Sequence, residues 1–125
     1  MIEVGATGEV SHRVGEADTA RALGSGDVLA LATPRVIAWL EEATCRAVEG
    51  FLDPGQTTVG TAVDIVHLRP SPVGATIDCR AVVASVDGVK VRLAVQAEQD
   101  GRVVARGEVT RAAVDRSEFH ARLAN

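Results

Sequence analysis

Polar and apolar positions along this chain follow two different periods. From Thr33 to Phe51 the period is helical: Val36, Ile37, Leu40, Thr44, Ala47, Val48 and Phe51 gather on one side, and Arg35, Glu42, Arg46 and Glu49 on the other. Thr33 is a suitable N-cap. Pro34 falls at the first helical position, where its missing N–H costs nothing, and Asp53-Pro54-Gly55 ends the run. Beyond that point the period becomes two. Residues 57–69, 75–86, 89–98 and 102–114 read as strands, separated by the turn at 70–74 and by two hairpin signals, Asp87-Gly88 and Asp100-Gly101. Residues 7–14 alternate well enough for a first strand. Residues 15–32, broken by Gly24-Ser25-Gly26, fit a short helix and a loop, and residues 117–123 a short terminal helix.

One long helix beside an antiparallel sheet of this size has to be wrapped by that sheet to bury its apolar stripe. The expected class is α+β and the expected architecture a hot dog fold. At 125 residues the chain reads as a single domain, 1–125. Such a domain leaves an edge strand and part of the helix uncovered, so a homodimer is expected, with a dimer of dimers left open.

Composition narrows the function. Apolar residues make up 46% of the chain, mostly Val, Ala and Leu, with no Tyr, two Phe and one Trp. That scarcity removes the stacking platforms a nucleic-acid binder uses, and a net charge of −4 removes the basic footprint. Cys45 and Cys79 are too few for a disulfide framework or a metal site and read as small core residues. The first residues lack the charged and apolar regions of a secretory signal, and no apolar run is long enough to span a bilayer. The expectation is a cytoplasmic protein that engages neither nucleic acid nor membrane.

Three polar residues stand out. Glu41 lies at the border of the apolar stripe, where an unpaired carboxylate is costly unless it is hydrated or useful. Thr33 is either a plain N-cap or a hydroxyl beside the free N–H groups of a helix N-terminus, which can polarise a carbonyl. His67 shares a strand face with Val63 and Ile65 and is either a hydrogen-bonded core residue or a proton carrier. Together, hydroxyl, imidazole and carboxylate form the set of a base-activated nucleophile or an activated water.

From Leu29 to about Ala121 the chain resembles the bacterial thioesterases of the fluoroacetyl-CoA thioesterase family, a hot dog branch. The resemblance rests on Thr33, Glu41 eight residues on, the turn Asp53-Pro54-Gly55, and the strand start Val59-Gly60-Thr61-Ala62. It continues through His67, Pro72-Val73-Gly74, and Gly107 to Arg111. It implies an acyl-CoA thioesterase that hydrolyses a small acyl thioester to free acid and coenzyme A, with Thr33, Glu41 and His67 catalytic, Gly60 binding substrate, and Arg111 either binding substrate or holding the carboxylate. Gly60 is expected to bring its backbone close to the thioester carbonyl. No metal and no cofactor are implied, coenzyme A entering only as part of the substrate. The family's phenylalanine-bearing lid has no counterpart, since residues 23–28 contain no aromatic side chain. A more open entrance for short or branched acyl groups is therefore expected. Two other readings are an acyl-CoA hydratase, which resembles an Asp-x-x-x-x-His spacing not found after Asp27 or Asp53, and a non-catalytic acyl-CoA-binding module.

Overall fold

The structure is a computed structural model and describes residues 1–124. The strands are β1 (Thr7–Arg13), β2 (Gln56–His67), β3 (Thr76–Asp87), β4 (Lys90–Gln99) and β5 (Arg102–Asp115). The helices are α1 (Ala20–Leu23), α2 (Thr33–Val48) and α3 (Arg116–Leu123). All five strands form one antiparallel sheet in the order β1-β3-β4-β5-β2. The sheet curls around α2, and the α+β class and hot dog architecture are as expected.

Both hairpins have a chemical cause. Asp100 and Gly101 have φ of 51° and 78°, the two positive values of a type I′ turn, and Asp100 is the one non-glycine residue with positive φ among those described. The β3–β4 turn is centred one residue later than Asp87-Gly88 suggests. Asp87 still pairs with Lys90, leaving Gly88, at φ 59°, and Val89 as the two-residue loop.

The buried face of α2 is rotated from the expected one. Val36, Trp39, Leu40, Ala43, Thr44, Ala47 and Val48 are buried, whereas Ile37 and Phe51 are only half-buried. Gly8 explains the shift: a Cβ there would collide with the backbone of Ala43 and Ala47, so the glycine lets α2 settle directly onto β1. Trp39 is roofed by His12, whose ring stacks at 4.8 Å and whose Nε2 lies 2.6 Å from Glu42. The core beneath is largely aliphatic, including Leu40, Ile77, Val83, Val91, Leu93 and Val109. Cys79 belongs to it, and burial raises its thiol pKa to about 12; Cys45 is only half-buried. Among the described residues no helix is long and apolar enough to cross a membrane.

Candidate active site

The N-terminus of α2 differs from the sequence expectation in a way that matters. Ala32, not Thr33, is the N-cap, and no side chain caps the helix. Ala32 is held there by its own N–H, which donates to the Asp18 carbonyl at 2.9 Å, and Leu31 N–H donates to Ser71. An ion pair of 2.9 Å between Arg35 and Asp18 ties the same segment to the first turn. With the backbone fixed by these contacts, the Thr33 hydroxyl is not needed as a cap.

It meets His67 instead. Thr33 Oγ1 and His67 Nδ1 are 2.8 Å apart, with the hydroxyl donating when Nδ1 is the unprotonated nitrogen. His67 is the last residue of β2, where Leu68 and Arg69 N–H groups both donate to the Val104 carbonyl and turn the chain away. Its other nitrogen, Nε2, is buried and has no hydrogen-bond partner among the described residues. Burial lowers the imidazole pKa below 6.5, and the Arg69 backbone opposes this more weakly. The ring is therefore neutral at neutral pH and able to accept a proton. A cavity of about 370 Å³ opens beside the pair, lined by Val28, Leu31, Thr33, His67, Leu68 and Arg69.

Glu41 occupies a second cluster. Arg111 Nη1 lies 3.5 Å from its carboxylate, with side-chain exposures of 8% for Arg111 and 36% for Glu41. Arg111 is fixed from β2: its Nε donates to Thr58 Oγ1 at 2.9 Å and its Nη2 to the Thr58 carbonyl at 3.1 Å. Thr58 carries no sequence signal, because an alternating strand offers a polar residue at every second place; only the β2–β5 register finds it. Gly60 completes the group. A Cβ on it would stand 2.5 Å from Glu41 Oε2 and 3.4 Å from Arg111 Nη1, so the glycine makes room for the carboxylate. A register shift between Gly60 and Ala62 turns the strand at this point, as bulges near functional groups do.

Thr33 pairs with His67, and Glu41 with Arg111 and Gly60, but the two groups do not meet within one chain. Eight helical residues separate Thr33 from Glu41, a rise of about 12 Å. No hydrogen bond or ion pair joins the two clusters among the described residues. A larger cavity, about 630 Å³, lies over β1, β3 and β4 between Glu9, Asp78, Arg80 and Gln96, and includes none of these site residues.

Comparison with known proteins bears on this arrangement. Residues 14–117 match the family described as fluoroacetyl-CoA-specific thioesterase. The chain belongs to that family. The fluoroacetyl-CoA thioesterase of Streptantibioticus cattleyicolor is 29% identical over 92 residues, which are 74% of this chain and 66% of that protein's length. A solved structure of the fluoroacetyl-CoA thioesterase FlK superposes with a TM-score of 0.91 at 25% identity, covering 99% of this chain and 96% of that one. A threonine-to-serine variant of the same enzyme in complex with acetyl-CoA gives 0.92 at 25% identity, over 98% and 96%. A thioesterase superfamily member from Thermus thermophilus, 21% identical with a TM-score of 0.92 over 99% and 92%, shares the fold.

Proposed function

We propose that this protein is an acyl-CoA thioesterase acting as a homodimer in the cytoplasm, and that each reaction centre is built from both copies. The observation that carries the reading is the 2.8 Å contact between Thr33 and a neutral, desolvated His67 at the lip of an open cavity. A hydroxyl hydrogen-bonded to an unprotonated imidazole is the arrangement that makes a hydroxyl nucleophilic.

Support for the dimer comes from β2. It is an edge strand of twelve residues, exposed from Gly60 to Asp64, with Val63 47% and Val66 54% exposed. A long apolar edge of this kind calls for a partner. Antiparallel pairing of two β2 strands about an axis between Val63 and Asp64 sets His67 of one copy opposite Gly60 of the other. The Thr33–His67 pair of one chain then faces the Glu41–Arg111 cluster of the second.

The chemistry follows from that assembly. His67 takes the proton of Thr33 as its oxygen adds to the thioester carbonyl. The C–S bond breaks, and the departing thiolate receives that proton from His67. Glu41 of the second copy then draws a proton from water, which attacks the acyl-threonine ester; the ester C–O bond breaks, the proton held by Glu41 passes to the threonine oxygen, and the free acid leaves. Arg111 fixes Glu41 and lines the acyl end, with Gly60 beside it. The steps use only side chains and water. The cavity is lined by exposed Val28 and Leu68 and by no aromatic ring other than the His67 imidazole, which suits short and branched acyl groups without a preference for fluoroacetyl.

The test is thiol release from short, branched and aromatic acyl-CoA esters and from fluoroacetyl-CoA, with wild type and Glu41→Gln compared. Turnover by wild type and accumulation of an acylated Thr33 peptide in Glu41→Gln, seen by mass spectrometry, is the expected result. Intact esters after prolonged incubation with wild type would leave a binding module instead.

A further inference from the structure

We infer that Arg69 and Arg102 form the site for the phosphates of coenzyme A; this inference rests on the thioesterase reading above. Nothing in the sequence ranks one arginine over another, but the structure does. Many of the cations are engaged or remote. Arg35 is paired with Asp18, Arg46 with Glu42, Arg80 with Glu9 and Arg111 with Glu41. Lys90 and Arg92 line a separate small cavity at the β3–β4 turn beside Asp87.

Arg69 is different. It borders the cavity that holds Thr33 and His67, and it also borders a second cavity of about 380 Å³, which Pro70 shares and Arg102 and Gln99 line. Both cavities are lined by Arg69 and Pro70, so the space that holds Arg102 is next to the one that holds the reacting pair. Both guanidinium groups are exposed and have no carboxylate within ion-pair distance among the described residues. The carboxylates lining these spaces are Asp27 in the inner cavity and Asp100 in the outer one, so the outer cavity carries two positive charges against one negative.

Length agrees with the assignment. The pantetheine arm from sulfur to its phosphate oxygen has about as many backbone bonds as four residues, or ~14 Å extended. Arg69 is two residues beyond His67, up to ~7 Å of chain, and an arginine side chain adds a similar reach. Arg102 is two residues before Val104, whose carbonyl anchors Leu68 and Arg69, and lines the neighbouring cavity. A forked guanidinium pairs well with phosphate oxygens in such an exposed groove.

Calorimetric binding of CoA, 3′-dephospho-CoA and pantetheine to the full chain tests this without requiring hydrolysis. Wild type should bind CoA well above pantetheine. Arg69→Ala and Arg102→Ala should each weaken CoA about tenfold while leaving pantetheine affinity in place, and Arg92→Ala should bind CoA as wild type does. A loss on 3′-dephospho-CoA as large as that on CoA puts the pyrophosphate at the arginine pair; a loss confined to CoA puts the 3′-phosphate there. Wild-type CoA affinity in the Arg69→Ala/Arg102→Ala double variant, or equal affinity of wild type for CoA and pantetheine, overturns the assignment. Selective CoA binding that fails in these variants, together with no ester hydrolysed by wild type, retains the phosphate site and rejects the thioesterase reading.

Discussion

Two polar clusters sit along the same helix, and they are built on opposite plans. The Glu41–Arg111 group is pre-assembled: a nearly buried guanidinium is held by the two hydrogen bonds it donates to Thr58, and a glycine clears space for the carboxylate. The Thr33–His67 pair is open, with one imidazole nitrogen bonded to the Thr33 hydroxyl and the other buried without a hydrogen-bond partner among the described residues. The contrast bears on the proposed roles: Arg111 and Gly60 position the Glu41 carboxylate, whereas Thr33 and His67 stand at an open cavity.

The sharpest way to break this comparison is complementation. Thr33→Ala and Glu41→Gln should each lower kcat by roughly 10²–10⁴. Co-refolded in equal amounts, the two variants should recover about a quarter of the wild-type rate, because half the dimers are mixed and each mixed dimer has one intact centre. Thiol release that stays at the level of the single variants would place each centre within one chain.

A smaller effect is expected at Arg111. Arg111→Met removes the anchor of Glu41, and kcat/KM should fall roughly tenfold to a hundredfold, with Thr58→Val reproducing part of the loss. If Thr58→Val has full activity, the guanidinium is not held from β2 in the way the geometry shows. Smaller again is Gly60→Ala. Only the end of a flexible side chain has to move, so the urea midpoint should hold while kcat drops about tenfold through a displaced carboxylate.

The pH response distinguishes the clusters with the least perturbation. Burial depresses the folded-state pKa of His67, so the imidazole is neutral above 6.5 and gains its proton only at lower pH. The acidic limb of kcat/KM should have its midpoint below 6.5. Stability should decline in the same direction, starting as pH falls through 6.5, because the unfolded chain binds the proton first, and levelling off below the depressed folded value. His67→Gln should reduce that decline in urea titrations at pH 7 and pH 5. A larger decline in the variant would reverse the sign of the burial effect.

Much of the fold was legible because it follows from local periods. A 3.6-residue stripe, four alternating runs and two Asp-Gly pairs specify a helix and an antiparallel meander with little room for alternatives. The errors were local and instructive. The buried stripe of α2 turned toward Trp39 and Ala43 because Gly8, some thirty residues earlier in the chain, admits the helix there. Thr33 looks like an N-cap in any helix-start pattern, and only the hydrogen bond of Ala32 to Asp18 shows that the helix begins one residue sooner.

The site divides in the same way. Residue type, spacing and likeness to a family singled out Thr33, Glu41, His67, Gly60 and Arg111 as candidates. Which of them touch was not readable, because each contact joins residues 19 to 70 positions apart through the register of β2 with β5 and its packing on α2. The sequence by itself determined the secondary elements and which residues are candidates for chemistry, since those depend on backbone preference and side-chain type within a few positions. Tertiary structure alone decided that Thr33 bonds His67, that Thr58 anchors Arg111, that Gly60 serves Glu41, and that Arg69 lines two cavities. Those outcomes depend on how distant strands align, and no local pattern encodes that alignment.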